Sequence, residues 1–142
     1  MSEVVTSIEI AAPVEEVFDL VMDAERLHEW VTIHRELLSH SDSHMQQKLC
    51  LRGATFKVDW ELAQASRPTH VHWKGRGPAR SKAETEYRLS PTPDGGTRFD
   101  YRNEFKAPLG PLGAVASHAL VGGLPEREAH ASLQKLKQLL EK

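Results

Sequence analysis

The sequence predicts an α+β fold in which an antiparallel sheet is covered by a long C-terminal helix, with two short helices after the first strand. Three observations predict it. Residues 4–31 read as a strand followed by two helical patterns, residues 32–107 alternate in five or six β-like runs, and the helical period returns from residue 109. A length of 142 residues fits one domain, which we expect to span residues 1–142.

The first strand and the two short helices follow from local patterning. Val4–Ala11 alternates β-branched and polar residues, which favours a strand with one wetter face. Pro13 suits the first turn of a helix. Apolar residues follow it at helical spacing: Val14, Val17, Phe18 and Val21. Asp23 can cap a second short helix that ends near Trp30.

The strand region has one apolar phase and one charged phase. Turn signals separate its runs, and the stretch Asp94-Gly95-Gly96 is the clearest hairpin signal. The apolar phase contains Phe56, Val58, Trp60 and Leu62; Val71, Trp73 and Gly75; Ala83, Thr85, Tyr87 and Leu89; and Phe99, Tyr101, Asn103 and Phe105. Consecutive antiparallel pairing is the simplest connection, and the apolar face then needs a cover.

The segment Leu109–Lys142 supplies that cover, because it carries apolar stripes at helical spacing. Gly122, Gly123 and Pro125 interrupt the pattern, which predicts either a kink or two successive helices with Pro125 opening the second. The two glycines also suggest a hypothesis of motion, in which the terminal helix hinges there to open the space beneath it. Simple packing clearance is the alternative.

Composition excludes several classes of function. The formal net charge of −2 comes without a long basic run, which argues against nucleic acid as a partner and against dominant affinity for anionic lipid surfaces. No apolar run of 18 or more residues occurs, so we expect no stable membrane insertion. The N-terminal residues lack the pattern of a secretory signal, which makes a cytoplasmic location the default expectation. The sequence leaves the oligomeric state open.

Metal and nucleophile chemistry find little support. His70 and His72 share a strand phase with Lys74 and Arg76, which predicts that they are solvated. His40 and His44 lie close together, but neither histidine pair is completed to a ligand motif with three or four members. The one cysteine, Cys50, shares its phase with charged residues. We therefore expect no metal site and no cofactor.

Three segments carry a resemblance to a known family. They are the opening Ile8–Phe18, the short helical Ala24–Trp30, and Asn103-Glu104-Phe105 at the end of the last strand. With the order of elements, the chain resembles the START-like superfamily, also called Bet v 1-like, helix-grip or SRPBCC, and within it the polyketide cyclase/dehydrase branch. This resemblance implies a curved sheet and a cavity roofed by the terminal helix. Family members include lipid carriers, ubiquinone-binding proteins, hormone receptors and aromatase/cyclases, so the resemblance selects no single activity.

The resemblance gives the polar residues of the apolar phase a second interpretation. Buried hydroxyl and amide groups need hydrogen-bond partners, and a ligand or pocket water could provide them. The candidate ligand-binding residues are Trp60, Trp73, Thr85, Tyr87, Tyr101 and Asn103. In the alternative, these polar groups bond to the backbone or to one another in a filled core, where the tryptophans need no ligand.

Three functions stay open. The first is a module that binds a hydrophobic or aromatic small molecule such as a lipid, a quinone or a polyketide-like compound. The second is an enzyme of the cyclase or dehydratase type, in which the proton donors would be pocket Tyr and Asn groups, namely Tyr87, Tyr101 and Asn103, or else Arg35. Arg35 lies in a run whose phase the sequence does not fix, and no catalytic motif is present. The third is a protein-interaction or regulatory module in which Trp60, Trp73 and Phe105 fill a vestigial pocket.

Overall fold

The computed structural model describes residues 2–51, 54–106 and 124–141. The strands are β1 Ser2–Ile10, β2 His34–His40, β3 His44–Leu51, β4 Ala54–Ser66, β5 His70–Arg76, β6 Lys82–Pro91 and β7 Thr97–Lys106. The helices are α1 Val14–Val21, two 3-10 helices at Ala24–Glu29 and Pro78–Arg80, and α2 Leu124–Leu140. The seven strands form one antiparallel sheet in the order β1-β7-β6-β5-β4-β3-β2. The predicted fold class is therefore confirmed.

The chain order explains this sheet. From β2 to β7 every strand pairs with the next, as hairpin connections favour. The predicted hairpin signal lies between β6 and β7, where Gly95 has a φ of +86° that side-chain-bearing residues rarely adopt. β1 then pairs with β7, so that Ser2 faces Phe105 and Ile10 faces Thr97. The first strand therefore borders the last.

Residues 13–30 link β1 to β2 as the sequence predicted. Pro13 precedes α1, which buries Val17, Phe18 and two further apolar residues. The Asp23 carboxylate accepts a hydrogen bond from the backbone N–H of Glu25 at 3.1 Å. The helix that follows is a 3-10 helix, and its Leu27 is buried in the core.

The core lies between the inner face of the sheet and the helices. Its largest fully buried side chains are Trp30, Phe99, Ile10, Leu133, Leu136, Val17 and Val71. The alternation predicted for β4 to β7 holds, since Val58, Val71, Leu89 and Phe99 are buried and their sequence neighbours face outward. α2 packs beside β1 and covers this part of the inner face.

Two sequence expectations differ from the structure or fall outside it. His70 and His72 lie on the outer face as predicted, but they are half-buried and hydrogen-bonded to Glu86 and Glu84, at 2.6 and 3.1 Å. Facing strands bring each histidine beside a carboxylate, so the expectation of solvated side chains was wrong. The helical segment predicted for residues 109–123, including the Gly122-Gly123 hinge, lies outside the described residues. α2 begins at Leu124, next to Pro125.

Candidate functional site

A cavity of about 860 Å³ lies between the inner face of the sheet, the 3-10 helix Ala24–Glu29 and α2. Strands β3 to β7 contribute most of its wall, and α2 borders one side. Apolar lining residues include Val21, Leu27, Trp30, Met45, Leu49, Phe56, Val58, Trp60, Trp73, Phe105, Ala129 and Leu133. The side chains of the described residues therefore leave a cavity on the inner face of the sheet.

Aromatic rings form one continuous part of the wall. Tyr87 lies at the centre, with its ring centroid 5.9 Å from that of Tyr101 in a stacked arrangement. The Trp30 ring meets Tyr87 edge-on at 6.2 Å, and Phe99 lies behind at 5.3 Å. Such contacts hold aromatic side chains in fixed orientations. These ring contacts therefore hold this part of the wall in a fixed geometry.

A chain of polar groups runs beside these rings. The Thr85 hydroxyl donates to the Asn103 amide oxygen at 3.1 Å, because Thr85 and Asn103 face each other across β6 and β7. Burial raises the pKa of Tyr101 to about 12, although its hydrogen bond with Asn103 opposes the rise. Burial also raises the pKa of Tyr87, with a further contribution from Tyr101. Both phenols are therefore protonated, and can donate hydrogen bonds, throughout the neutral range.

A second polar group lies across the cavity, on β3. Gln47 is buried, and its amide oxygen accepts a hydrogen bond from the Trp60 indole N–H at 2.9 Å. The Gln47 amide nitrogen lies 2.7 Å from Nδ1 of His34. Burial lowers the pKa of His34, with a smaller contribution from nearby His28. The amide therefore fixes the orientation of Trp60 in the cavity wall.

Polar contacts also attach α2 to the segment just before β2. The backbone N–H of Thr32 donates to the Ser132 hydroxyl at 3.0 Å. The Thr32 hydroxyl donates to the Glu128 carboxylate and lies 3.2 Å from the Glu128 carbonyl oxygen. Both α2 residues also line the cavity. These bonds place a carboxylate and a hydroxyl at the helical side of the cavity.

One buried donor is left over. The indole nitrogen of Trp30 is buried and has no hydrogen-bond partner among the described residues. Trp30 borders the cavity next to Tyr87. A buried N–H without an acceptor costs about 1 to 3 kcal/mol.

All six residues named as ligand-binding candidates line the cavity: Trp60, Trp73, Thr85, Tyr87, Tyr101 and Asn103. Arg35, the other catalytic candidate, is exposed on β2. Trp60, Trp73 and Phe105 border the open volume without filling it.

Sequence reasoning missed several cavity residues: Trp30, Gln47, Glu128 and Ser132. A signal existed for Gln47, which occupies the apolar phase of β3 between Met45 and Leu49. A polar residue in such a phase must find a partner once it is buried. No comparable signal existed for Glu128, because a charged residue near the start of a helix normally faces water.

Metal-binding groups and membrane-spanning helices are both absent from the part of the chain that the structure describes. Those residues contain no group of three or more histidine, cysteine, aspartate or glutamate side chains that could hold a metal ion. They also contain no helix that is both long and apolar enough to cross a bilayer.

Comparison with known protein sequences relates the chain to one family. A family model described as polyketide cyclase / dehydrase and lipid transport matches residues 1–141. A Mycobacterium tuberculosis protein named Toxin Rv0910 is 24% identical over 133 residues, which cover 89% of this chain and 92% of that protein. Toxin MT0934, from another strain of the same species, gives the same values.

Solved structures share the fold. The Zhui aromatase/cyclase from a Streptomyces species matches with a TM-score of 0.76 and 15% identity, over 98% of this chain and 93% of that chain. A START superfamily protein from Mycobacterium smegmatis matches with a TM-score of 0.68 and 18% identity, over 98% and 94% of the two chains. A protein from Thermus thermophilus reaches a TM-score of 0.78 at 18% identity, over 98% and 97%. At these identities the likeness shows the fold alone.

Proposed function

The chain belongs to the polyketide cyclase/dehydrase and lipid transport family, and from this premise we propose that it binds a hydrophobic or aromatic small molecule in the cavity between sheet and helices. The ligand class is a lipid, a quinone or a polyketide-like compound. The proposal treats residues 1–142 as a single ligand-binding domain.

One observation carries this proposal, namely the volume of about 860 Å³ that the aromatic wall borders. Small-molecule sites in proteins have volumes of about 300 to 1,000 Å³ and combine apolar walls with a few polar groups that orient the ligand. Tyr87, Tyr101 and Gln47 are such groups, and the Trp30 indole N–H offers a further donor. The third function, a vestigial pocket filled by aromatic residues, fits this volume poorly.

The direct test is native mass spectrometry of gently purified protein, followed by solvent extraction and identification of whatever is released. A stoichiometric apolar passenger is the expected result. A second measurement uses Nile red, a neutral apolar dye whose fluorescence rises in apolar surroundings. Binding of the dye at one site per chain, with quenching of tryptophan fluorescence, would support the proposal because Trp60 and Trp73 border the cavity.

Two alanines of α2 provide a matched pair of variants. Ala129 is buried and lines the cavity, whereas Ala131 is exposed on the same helix. Ala129→Phe places a ring in the cavity and should weaken dye binding by about tenfold, or about 1.4 kcal/mol. Ala131→Phe makes the same change outside the cavity and should leave dye binding unchanged. Circular dichroism checks that both variants are folded, and equal dye affinity in both would contradict the proposal.

A second candidate function is catalysis of the cyclase or dehydratase type. The observation that favours it is the line of Thr85, Asn103 and Tyr101 along the wall, where a protonated phenol borders the cavity. A positioned phenol can donate a proton to a carbonyl oxygen of a bound polyketide-like substrate. Tyr101→Phe removes that proton and keeps the ring. Loss of turnover with unchanged dye binding would support catalysis, and equal turnover would exclude Tyr101 from the mechanism.

A further inference from the structure

Three cations lie side by side on the outer face of the sheet. Arg76 of β5 faces Lys82 of β6, and Lys82 in turn faces Lys106 of β7. All three side chains are exposed. They are far apart in the sequence, and the strand register brings them into one row across three neighbouring strands.

Three more cations extend this row. Lys48 and Lys57 face each other across β3 and β4. Lys57 is also close to Arg76, because Asp59, two residues after Lys57, faces Arg76 across β4 and β5. Arg80 is exposed in the 3-10 helix between β5 and β6. We call this set the basic patch; its members are Lys48, Lys57, Arg76, Arg80, Lys82 and Lys106. The register places two carboxylates directly opposite members of the patch, with Asp59 opposite Arg76 and Glu36 opposite Lys48.

The basic patch differs from the opposite end of the same face. Arg88, Arg98 and Arg102 each form an ion pair there, whereas within the described residues no member of the patch forms one. The residues that the structure does not describe include no aspartate or glutamate.

The nearest acids along β6 and β7 are already engaged. Glu84, two residues from Lys82, is hydrogen-bonded to His72. Glu104, two residues from Lys106, is paired with Arg102. Among the described residues, the row of Arg76, Lys82 and Lys106 therefore has one directly opposed carboxylate, that of Asp59, and forms no ion pair.

Such a row works against folding. Like charges directly opposite each other on neighbouring strands destabilise a sheet. The chain as a whole has a net charge of −2, so these cations are concentrated on a molecule that is otherwise acidic. An anionic partner would reduce the repulsion and would be attracted to the basic patch.

The patch lies next to the cavity. The connection from Arg76 to Lys82 carries Gly77, Pro78 and Ser81, which line the cavity on its inner side. One short segment therefore has cations on its outer surface and the ligand cavity behind it. If the basic patch binds to an anionic surface, this end of the cavity therefore lies close to that surface.

We infer that the basic patch docks the protein on an anionic lipid surface, from which the cavity takes or delivers its apolar ligand. The exchange of ligand between the lipid surface and the cavity rests on the proposed function. Binding of the protein to the surface can be measured without a ligand. The cations extend over five strands as a broad array, which suits many headgroups better than a single anion. Duplex DNA is the competing polyanion, and the test below compares it with anionic vesicles.

The test is cosedimentation of the full chain with vesicles. Phosphatidylcholine vesicles are compared with vesicles that also contain phosphatidylserine, at low and at high NaCl. Binding only to the anionic vesicles, and its loss at high salt, are expected because screening weakens attraction between exposed charges. Each cation near an anionic surface contributes about fivefold to partitioning, so Arg76→Gln with Lys106→Gln should reduce binding by about 25-fold.

A matched control removes the same charge elsewhere. Arg98→Gln with Lys135→Gln changes two exposed cations outside the patch and should retain most of the vesicle binding. Neither Arg76 nor Lys106 lines the cavity, so Nile red should bind the patch variant as it binds the unchanged protein. Absence of dye binding in the unchanged protein would count against the proposed function, and vesicle binding would still report on the patch.

Three outcomes would overturn the inference. The first is equal binding to neutral and anionic vesicles, or none to either. The second is an equal loss of binding in the patch variant and in the control, which would indicate a general charge effect. The third is binding to duplex DNA or to an acidic peptide under conditions where anionic vesicles do not bind. That result would identify the patch as a binding site for the other partner.

Discussion

The indole N–H of Trp60 donates a 2.9 Å hydrogen bond to the amide oxygen of Gln47, and both side chains are buried. This bond joins β3 to β4 on the cavity side of the sheet. It orients the largest side chain of β4 and satisfies a polar group in an otherwise apolar strand phase. A polar pair thus determines the shape of an apolar wall.

Gln47→Leu tests the importance of this pair. Leucine fills the same space but leaves the Trp60 N–H and the His34 ring without their partner. We expect the free energy of unfolding to fall by about 1 to 3 kcal/mol, measured by urea denaturation. Gln46→Leu changes an amide on the outer face. Its free energy of unfolding should stay within about 0.5 kcal/mol of that of the unchanged protein. Equal effects of the two substitutions would contradict this assignment.

The two tyrosines should titrate abnormally. Burial raises the pKa of Tyr101 from 10.0 to about 12 and raises that of Tyr87 as well. Because the unfolded chain loses these protons first, stability should be unaffected by them below pH 10 and should fall between about pH 10 and 12. Absorbance at the tyrosinate band and denaturation curves over this range measure both effects.

Tyr101→Phe provides the comparison for this pH dependence. The variant lacks one of the two phenols, so its stability should decline less steeply above pH 10 than that of the unchanged protein. Tyrosinate absorbance rising in the folded, unchanged protein with a normal pKa would show that water reaches both phenols freely.

Gly75→Ala should destabilise the sheet although alanine normally favours a strand over glycine. An added Cβ at this position would lie 2.7 Å from the Trp60 ring and 3.0 Å from Val58, so Trp60 must move. We expect a loss of about 1 to 3 kcal/mol by thermal or urea unfolding. In a Trp60→Leu background the same substitution should cost less, because the clash is gone. A stabilised Gly75→Ala protein would refute this close contact.

Removing cations from the basic patch should stabilise the fold at low salt. Arg76→Gln with Lys106→Gln eliminates two like-charge contacts with Lys82 and one opposite-charge contact, between Arg76 and Asp59. Each contact is worth about 0.2 to 1 kcal/mol, so the melting temperature should rise and the gain should shrink as NaCl is added. Arg98→Gln with Lys135→Gln breaks the Arg98 pair with Asp100 and should give no gain. A lower melting temperature for the patch variant would show that these cations have partners in solution.

The sequence by itself determined the strands β4 to β7 and their faces. Alternation is a local property, and it placed Val58, Val71, Tyr87 and Phe99 on the inner face because successive side chains of a strand point to opposite sides. The same phase brought Trp60, Trp73 and Asn103 to the cavity wall. The turn at Gly95 was also predictable, because its signal lies in adjacent residues of the sequence.

Only the tertiary structure decided which distant residues meet. Gln47 binds Trp60, Glu128 binds Thr32, and Trp30 meets Tyr87 edge-on because strand register and helix docking set these distances. A sequence without a basic run gave no sign of the basic patch, since its cations come from five strands and one 3-10 helix. Register is fixed by the sum of all pairings in the sheet, and periodicity within one strand does not contain it.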